Sequence, residues 1–214
     1  MRKIELMVFD FDGTLVYSGD DLANSVNYTL EKLGIPPLDR ENIRGFVGDG
    51  LVTLIERSLG DGHQDMLGEA LETFKAHYSE HLLDTTALYP GVPDVLEHFR
   101  DTKKLIITNK LYDYTLRISE ALGIAGYFEE VIGVDSFPLR KPAQELLIPL
   151  LEKYDAKKTE TVIIGDGIND ILLAKNTGTL SCALLNGLGD RDILLSLDPD
   201  YHCEKISELE DLFE

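Results

Sequence analysis

Ile4-Glu5-Leu6-Met7-Val8-Phe9 runs straight into Asp10-Phe11-Asp12-Gly13-Thr14-Leu15. The short apolar run reads as a buried strand, and it stops at a polar loop. Asp10 and Asp12 flank Phe11 in that loop. Residues two apart on an extended chain face one side, so at the strand exit both carboxylates can converge on one point. Like charges held that close repel unless a cation or a proton intervenes.

Two further acids answer to this pair. Thr161 to Ile164 reads as a second buried strand, ending in Gly165-Asp166-Gly167-Ile168-Asn169-Asp170. Asp166 and Asp170 are four apart at a helix start and share a face. If the two strands are neighbours, four acids meet. An all-oxygen donor set without soft ligands points to Mg²⁺ rather than zinc, with Asp10, Asp12, Asp166 and Asp170 as the candidate metal residues. Such an ion also supplies positive charge for an anionic substrate.

Between these motifs the pattern changes twice. From about 19 to 86, apolar residues recur at helical spacing: Leu22, Val26, Leu30 and Leu33; Leu51, Leu54, Ile55 and Leu59; Leu67, Leu71, Phe74 and Tyr78. No strand is expected there. After Tyr89-Pro90-Gly91, helix and strand alternate. Leu105-Ile106-Ile107 is read as a strand ending at Thr108-Asn109, Val131-Ile132-Gly133 as another and Cys182 to Leu185 as another, with a last short strand and a helix in the tail. Alternation of this kind gives βαβ units and a mainly parallel, Rossmann-like sheet flanked by helices, an α/β fold. The expected core domain spans residues 1–16 and 87–214, with a helical cap domain, 17–86, inserted after the first strand. Three strands end in polar clusters at the carboxyl edge, where such sheets bind ligands. The insertion leaves from the same edge and is placed to act as a lid.

Composition bounds the function. The 214 residues carry 39 acids against 20 bases, a net charge of −19, with 43% hydrophobic residues. A core of real size is possible, and a sequence-independent grip on nucleic acid is not expected from so acidic a chain. Cys182 and Cys203 read as two free thiols of a reducing compartment. Asp10 and Asp12 interrupt any leader-like apolar stretch, and no membrane-length run occurs, so a cytoplasmic protein is expected. His77 and His81 are four apart without an evident third ligand and read as surface residues; Lys103-Lys104 reads as a solvated strand edge.

Two weaker signals join the acids. The hydroxyl of Thr108 and the exposed amides at that strand end can hold a phosphoryl oxygen. Lys141, followed by Pro142 at an expected helix start, can serve as a point charge for phosphate. In the order Phe9 to Leu15, Thr108-Asn109-Lys110, Lys141-Pro142 and Gly165 to Asp170, these segments resemble the four motifs of the haloacid dehalogenase-like hydrolase superfamily. The resemblance is closest to its phosphoglycolate phosphatase-like group with a helical cap, and it covers essentially the whole chain.

That resemblance implies a Mg²⁺-dependent phosphatase acting on a small phosphorylated metabolite, as monomer or homodimer. Asp10 would be the nucleophile that forms an aspartyl-phosphate, and Asp12 the acid and then the base. Thr108 and Lys141 would complete the catalytic set. Phe11 and Gly13 (through the loop backbone), Thr108, Asn109, Lys141 and, from the cap, Arg44 would contact substrate. Asp166 would bind the ion with Asp10 and the Asp12 carbonyl, and Asp170 would hold it directly or through water. The residues alone reach a metal-dependent phosphoryl site and leave open whether Asp10 or a metal-bound water attacks. A dehalogenase is disfavoured by Asp12 and the Asp166/Asp170 pair. Pyrophosphatase chemistry, a sugar-phosphate mutase and a silent binding protein of the same fold are the alternatives. Asp49 in the glycine-punctuated segment Arg44 to Gly50 would repel a second anion, which counts against the mutase.

Overall fold

The computed structural model describes every residue, Met1–Glu214. Strand β1 (Leu6–Phe9) leads through the acidic loop into a two-residue strand, β2 (Val16–Tyr17). Helices α1 (Gly19–Lys32), α2 (Arg40–Arg44), α3 (Leu51–Leu59) and α4 (Leu67–Glu80) follow. The chain returns through β3 (Ala87–Leu88), which pairs antiparallel with β2. Then come α5 (Val92–His98), β4 (Lys103–Ile107), α6 (Tyr112–Ala121), β5 (Glu130–Ile132) and α7 (Ile148–Lys153). The chain ends with β6 (Thr161–Gly165), α8 (Ile168–Thr177), β7 (Leu180–Leu184), α9 (Arg191–Ser196), β8 (Tyr201–Cys203) and α10 (Leu209–Leu212).

Six strands form one sheet in the order β5-β4-β1-β6-β7-β8, parallel throughout. The continuous apolar reading of β1 has its reason in burial on both faces. Met7 and Phe9 belong to the large core cluster with Val92, Ile106, Val162 and Ile164, whereas Leu6 and Val8 pack with Leu147, Leu150, Ile163 and Leu173. Register does the rest. Phe9 lies opposite Ile106 on one side and Ile164 on the other. The three central strands therefore finish level, and the polar residues after each reach the same edge.

In the helical insertion, Leu22, Val26 and Leu30 of α1, Leu54, Ile55 and Leu59 of α3 and Phe74 and Tyr78 of α4 are buried in the same cluster as Phe11, Leu15 and Val16. The amphipathic stripes thus cover one another and the sheet edge. Asp21, at the start of α1, is buried and accepts hydrogen bonds from the amides and hydroxyls of both Thr85 and Thr86 at 2.6–3.0 Å. With the β2–β3 pair, this clamp ties together the two chain crossings of the insertion.

Two local expectations are corrected, for Lys104 and Pro142, and two strands just outside the 19–86 stretch are not foreseen. Strands β2 and β3 are each two residues long, too short for a period to show in sequence. Lys104 is not solvated: it is buried, and its ammonium donates to the carbonyls of Phe99 and Thr102 just past α5. Pro142 starts no helix; its bond to Lys141 is cis, and the next helical turn begins at Gln144. Cys182 and Cys203 are free, buried and 3.8 Å apart at sulfur. His77 and His81 stack on each other, with Tyr28 on the far side of His77, and His81 pairs with Asp84. No helix is long and apolar enough to cross a membrane.

Candidate active site

The level strand ends bring Asp10, Asp166 and Asp170 together. One carboxylate oxygen from each lies within 4.8 Å of the others, and all three residues are buried. Packing around Asp166 leaves no room for larger neighbours. A Cβ on Gly13, whose φ is +87°, would come to 2.0 Å from its Oδ2, and one on Gly187 to 2.2 Å from its Cβ. Thr14 Oγ1 donates to Asp166 Oδ1 at 2.7 Å, and the Leu188 amide donates to Oδ2 at 2.7 Å. Asp170 accepts from the Gly167 amide at 3.0 Å, which holds it in the first turn of α8.

Lys141 enters the same cluster. Its Nζ lies 2.6 Å from Asp10 Oδ1 and 2.6 Å from Asp170 Oδ1. Burial works against the ammonium, but the two carboxylates outweigh it and push its pKa up. Burial also raises both acids. Asp166 moves from 3.8 to about 7 through burial and the neighbouring Asp10 and Asp170. Asp170 also moves to about 7, as burial and Asp10 outweigh Lys141. Asp10, Asp12, Asp166 and Asp170 face only Lys110 and Lys141, a deficit that one divalent cation makes up. The residues thus fit a hard cation in donor type, spacing and charge.

Asp12 points elsewhere. Its carboxylate takes hydrogen bonds from Ser18 Oγ and from Lys110 Nζ, the latter at 3.0 and 3.2 Å. Ser18 stands at the N-cap position of α1, yet its hydroxyl makes no cap bond and is spent on Asp12. Thr108 is buried at the end of β4 and lines the cavity. The Phe11 side chain is in the core, while the amides of Phe11, Asp12 and Asn109 have no protein acceptor and are free for a phosphoryl oxygen.

Three expected substrate contacts have polar groups already engaged within the protein, although Asn109 still lines the cavity with its backbone amide free. The Gly13 amide is already bonded to the Val16 carbonyl at 2.9 Å, so the positive φ and the missing Cβ are what the site uses from Gly13. Asn109 splints two backbones: its Oδ1 accepts from the Lys141 amide at 3.0 Å, and its Nδ2 donates to the Gly48 carbonyl at 2.9 Å. It therefore positions Lys141 and the cap loop. Arg44 is paired with Asp20 at 2.6 Å and with Glu41, its guanidinium 5.6 Å from the centre of the Tyr17 ring, and it does not line the cavity.

A cavity of about 50 Å³ faces Asp10 and Asp12, closed by Leu22, Val47, Leu51, Leu54, Phe74 and Tyr78 of the insertion. Gly48 and Gly50 also line it, so the glycine-punctuated loop does reach the site. Asp49 does not line it. Its Oδ1 accepts from Asn169 at 2.7 Å, its Oδ2 pairs with Arg57 at 2.6 Å, and its carbonyl accepts from Arg140. The charge expected to repel a second anion is compensated, and it joins the cap loop to the first turn of α8, beside Asp170. Sequence reasoning also passed over Lys110 as a residue with work of its own; its one signal was a base directly after a strand-end Thr-Asn pair.

The haloacid dehalogenase-like hydrolase family model matches residues 7–184. The chain is 36% identical to a phosphoglycolate phosphatase of Vibrio parahaemolyticus, over 97% of this chain and 95% of that protein. It is also 36% identical to a phosphoglycolate phosphatase of Chromobacterium violaceum, over 99% and 97%. Among solved structures, a predicted phosphoglycolate phosphatase from Haemophilus somnus superposes with a TM-score of 0.93 at 27% identity, covering 99% of both chains. The motifs, the sheet order and these likenesses agree: the chain belongs to the haloacid dehalogenase-like hydrolases, in their phosphoglycolate phosphatase-like group.

Proposed function

We infer that this phosphatase is a Mg²⁺-dependent phosphomonoester hydrolase that acts on a small, phosphoglycolate-like organophosphate through an aspartyl-phosphate on Asp10. The observation that carries the reading is the cluster of Asp10, Asp166 and Asp170, with Lys141 bridging Asp10 and Asp170 and Asp10 lining a small cavity. Asp10, Asp166 and Asp170, with the Asp12 carbonyl, would hold the cation, which when bound supplies positive charge against the phosphoryl oxygens.

Asp10 attacks phosphorus with one carboxylate oxygen as the ester P–O bond breaks. Asp12 gives its proton to the departing alkoxide and recovers one from the water that then attacks the aspartyl-phosphate, returning Asp10 and inorganic phosphate. Lys141, Thr108 and the amides of Phe11 and Asp12 neutralise and orient the transferring group, the main demand of phosphoryl transfer. The insertion narrows access to the site and limits substrate size. A mutase is less well served: a second phosphate needs its own cationic grip, and Lys110 is the only base lining the cavity.

Hydrolysis of a generic aryl phosphate tests this reading. Turnover is expected with Mg²⁺ and not with chelator, and Asp10→Asn is expected to abolish it while the far-UV spectrum and melting midpoint persist. Metal-independent turnover, or an active Asp10→Asn protein, would contradict it.

A further inference from the structure

Helix α4 leads into two half-exposed histidines that the mechanism does not use. His77 and His81 are four apart, so on a helix one lies above the other. Their rings are stacked, with centres 4.1 Å apart and planes 21° from parallel, and Tyr28 of α1 stacks on His77 at 4.0 Å. Both line an open cleft between α1 and α4, together with Asn24, Glu31, Arg40 and Asp84. None of these residues lines the cavity at Asp10.

One nitrogen of each ring is already held. His81 Nδ1 lies 2.7 Å from Asp84 Oδ2. An ionised carboxylate only accepts, so Nδ1 carries the proton, and Nε2 of the neutral ring keeps its lone pair. His77 Nδ1 lies 2.9 Å from Oγ of Ser25, buried on α1. That hydroxyl can accept from Nδ1–H, which leaves the Nε2 lone pair of His77 free as well. Neither Nε2 has a partner on the chain. A ring oriented through Nδ1, with Nε2 open, is the arrangement of a metal-bound histidine.

Charge and spacing agree. A histidine ligand must be neutral. Burial and the neighbouring His81 hold His77 below the ordinary histidine range. Two protonated rings stacked this closely would repel, whereas one divalent ion serves both lone pairs. Asp84 and Glu80 add negative potential at His77, and Arg40 is paired with Asp20 at 3.8 Å. Two nitrogens on a tetrahedral ion with bonds of about 2.0–2.1 Å are about 3.4 Å apart. A small rotation of rings 4.1 Å apart supplies that distance.

We propose that His77 and His81 form a second metal site, on the insertion and apart from the acid cluster, for a borderline divalent transition ion of the zinc type with water completing its shell. Imidazole donors suit such ions, as the oxygen donors of Asp10, Asp166 and Asp170 suit Mg²⁺. Through Ser25 and Asp84 the bound ion fixes α4 against α1 and against the crossing at Thr85 and Thr86, where Asp21 is clamped. The site braces the insertion and takes no part in phosphoryl transfer, so it stands or falls independently of the phosphatase reading.

The test titrates Zn²⁺, up to two equivalents and with Mg²⁺ in excess, into ¹⁵N-labelled protein near pH 7.5. The side-chain nitrogens of the five histidines are followed by NMR. The Nε2 signals of His77 and His81 are expected to move together and to saturate at one ion per chain, while His63, His98 and His202 stay in place. His81→Gln is expected to abolish the response at His77. Asp84→Ala is expected to weaken the affinity about 10-fold, as losing the group behind a histidine ligand does. Zn²⁺ is also expected to raise the melting midpoint of wild type by more than that of the His77→Gln, His81→Gln double variant, whose acid cluster is intact. An unmoved pair, a response shared alike by all five histidines, or an unchanged His77 response in His81→Gln overturns the site. If a variant does not fold, the wild-type titration still decides.

Discussion

Lys141 Nζ and Asp10 Oδ1 are 2.6 Å apart, both buried, although 131 residues separate them in the chain. The pair aims the carboxylate and supplies positive charge beside the position of the transferring phosphoryl. Lys141→Met keeps the side-chain length and removes the charge. Turnover of an aryl phosphate is expected to fall by about 10²–10³-fold, the range for losing one preorganised electrostatic partner. A fall of less than about 5-fold in a folded variant would remove Lys141 from the mechanism.

Metal binding and pH are linked through Asp166 and Asp170. Without metal their pKa values lie near 7 in the folded protein against an ordinary 3.8. Between about pH 4 and 7 the folded state therefore binds more protons than the unfolded state, and stability falls as pH rises through that window. A cation favours the ionised forms and reverses the loss. The rise in melting midpoint on adding saturating Mg²⁺ is expected to be larger at pH 8 than at pH 5, by about 3 °C or more. Equal rises at the two pH values would show that these acids do not hold the ion.

Asp21 is a clamp rather than a catalyst. Burial raises its pKa, but the hydrogen bonds from Thr85 and Thr86 outweigh burial and hold it below the ordinary value. Asp21→Ala is expected to cost about 2–4 kcal/mol, seen as a fall of about 5–12 °C in melting midpoint at pH 7. Because the folded pKa is depressed, the wild-type advantage is present above pH 4 and shrinks as pH falls through the folded value. A midpoint within about 1 °C of wild type would show that the clamp contributes nothing.

Asp49 ties the cap loop to Asn169, one residue before Asp170. The pair is half exposed, and the Gly48 carbonyl keeps its bonds to Asn109 and Asn169 when the carboxylate is removed. The effect is therefore modest. Asp49→Ala is expected to raise KM for a small phosphomonoester by about 3–10-fold with kcat within about 2-fold. A large loss of kcat with KM unchanged would assign Asp49 to the chemistry instead.

The parts of the fold that could be read from sequence were those with a long pattern or a dense motif. The runs Leu6–Phe9 and Thr161–Ile164 are apolar because both sheet faces are covered, and each ends at acids that have no other use there. The helical stripes of the insertion repeat often enough to be counted. Short or long-range relationships were hidden. Two-residue strands have no period. Lys104 is a charge whose partners are backbone carbonyls, which leave no trace in residue type. Asn109 and Arg44 looked like ligands for substrate because they are polar and near motifs; folding spends the first on Lys141 and Gly48 and the second on Asp20 and Glu41. Lys110 lay inside a quoted motif, yet its partner Tyr78 reads as one more position of a helical stripe.

The covalent step on Asp10 is the centre of the account. Acid quenching during steady-state turnover with Mg²⁺, followed by borohydride reduction and peptide mass spectrometry, reads it directly. Homoserine at position 10, appearing only when substrate and metal are both present, is the predicted result. Full turnover with Asp10 unmodified under conditions that preserve acyl phosphates would contradict it and give the attack on phosphorus to water.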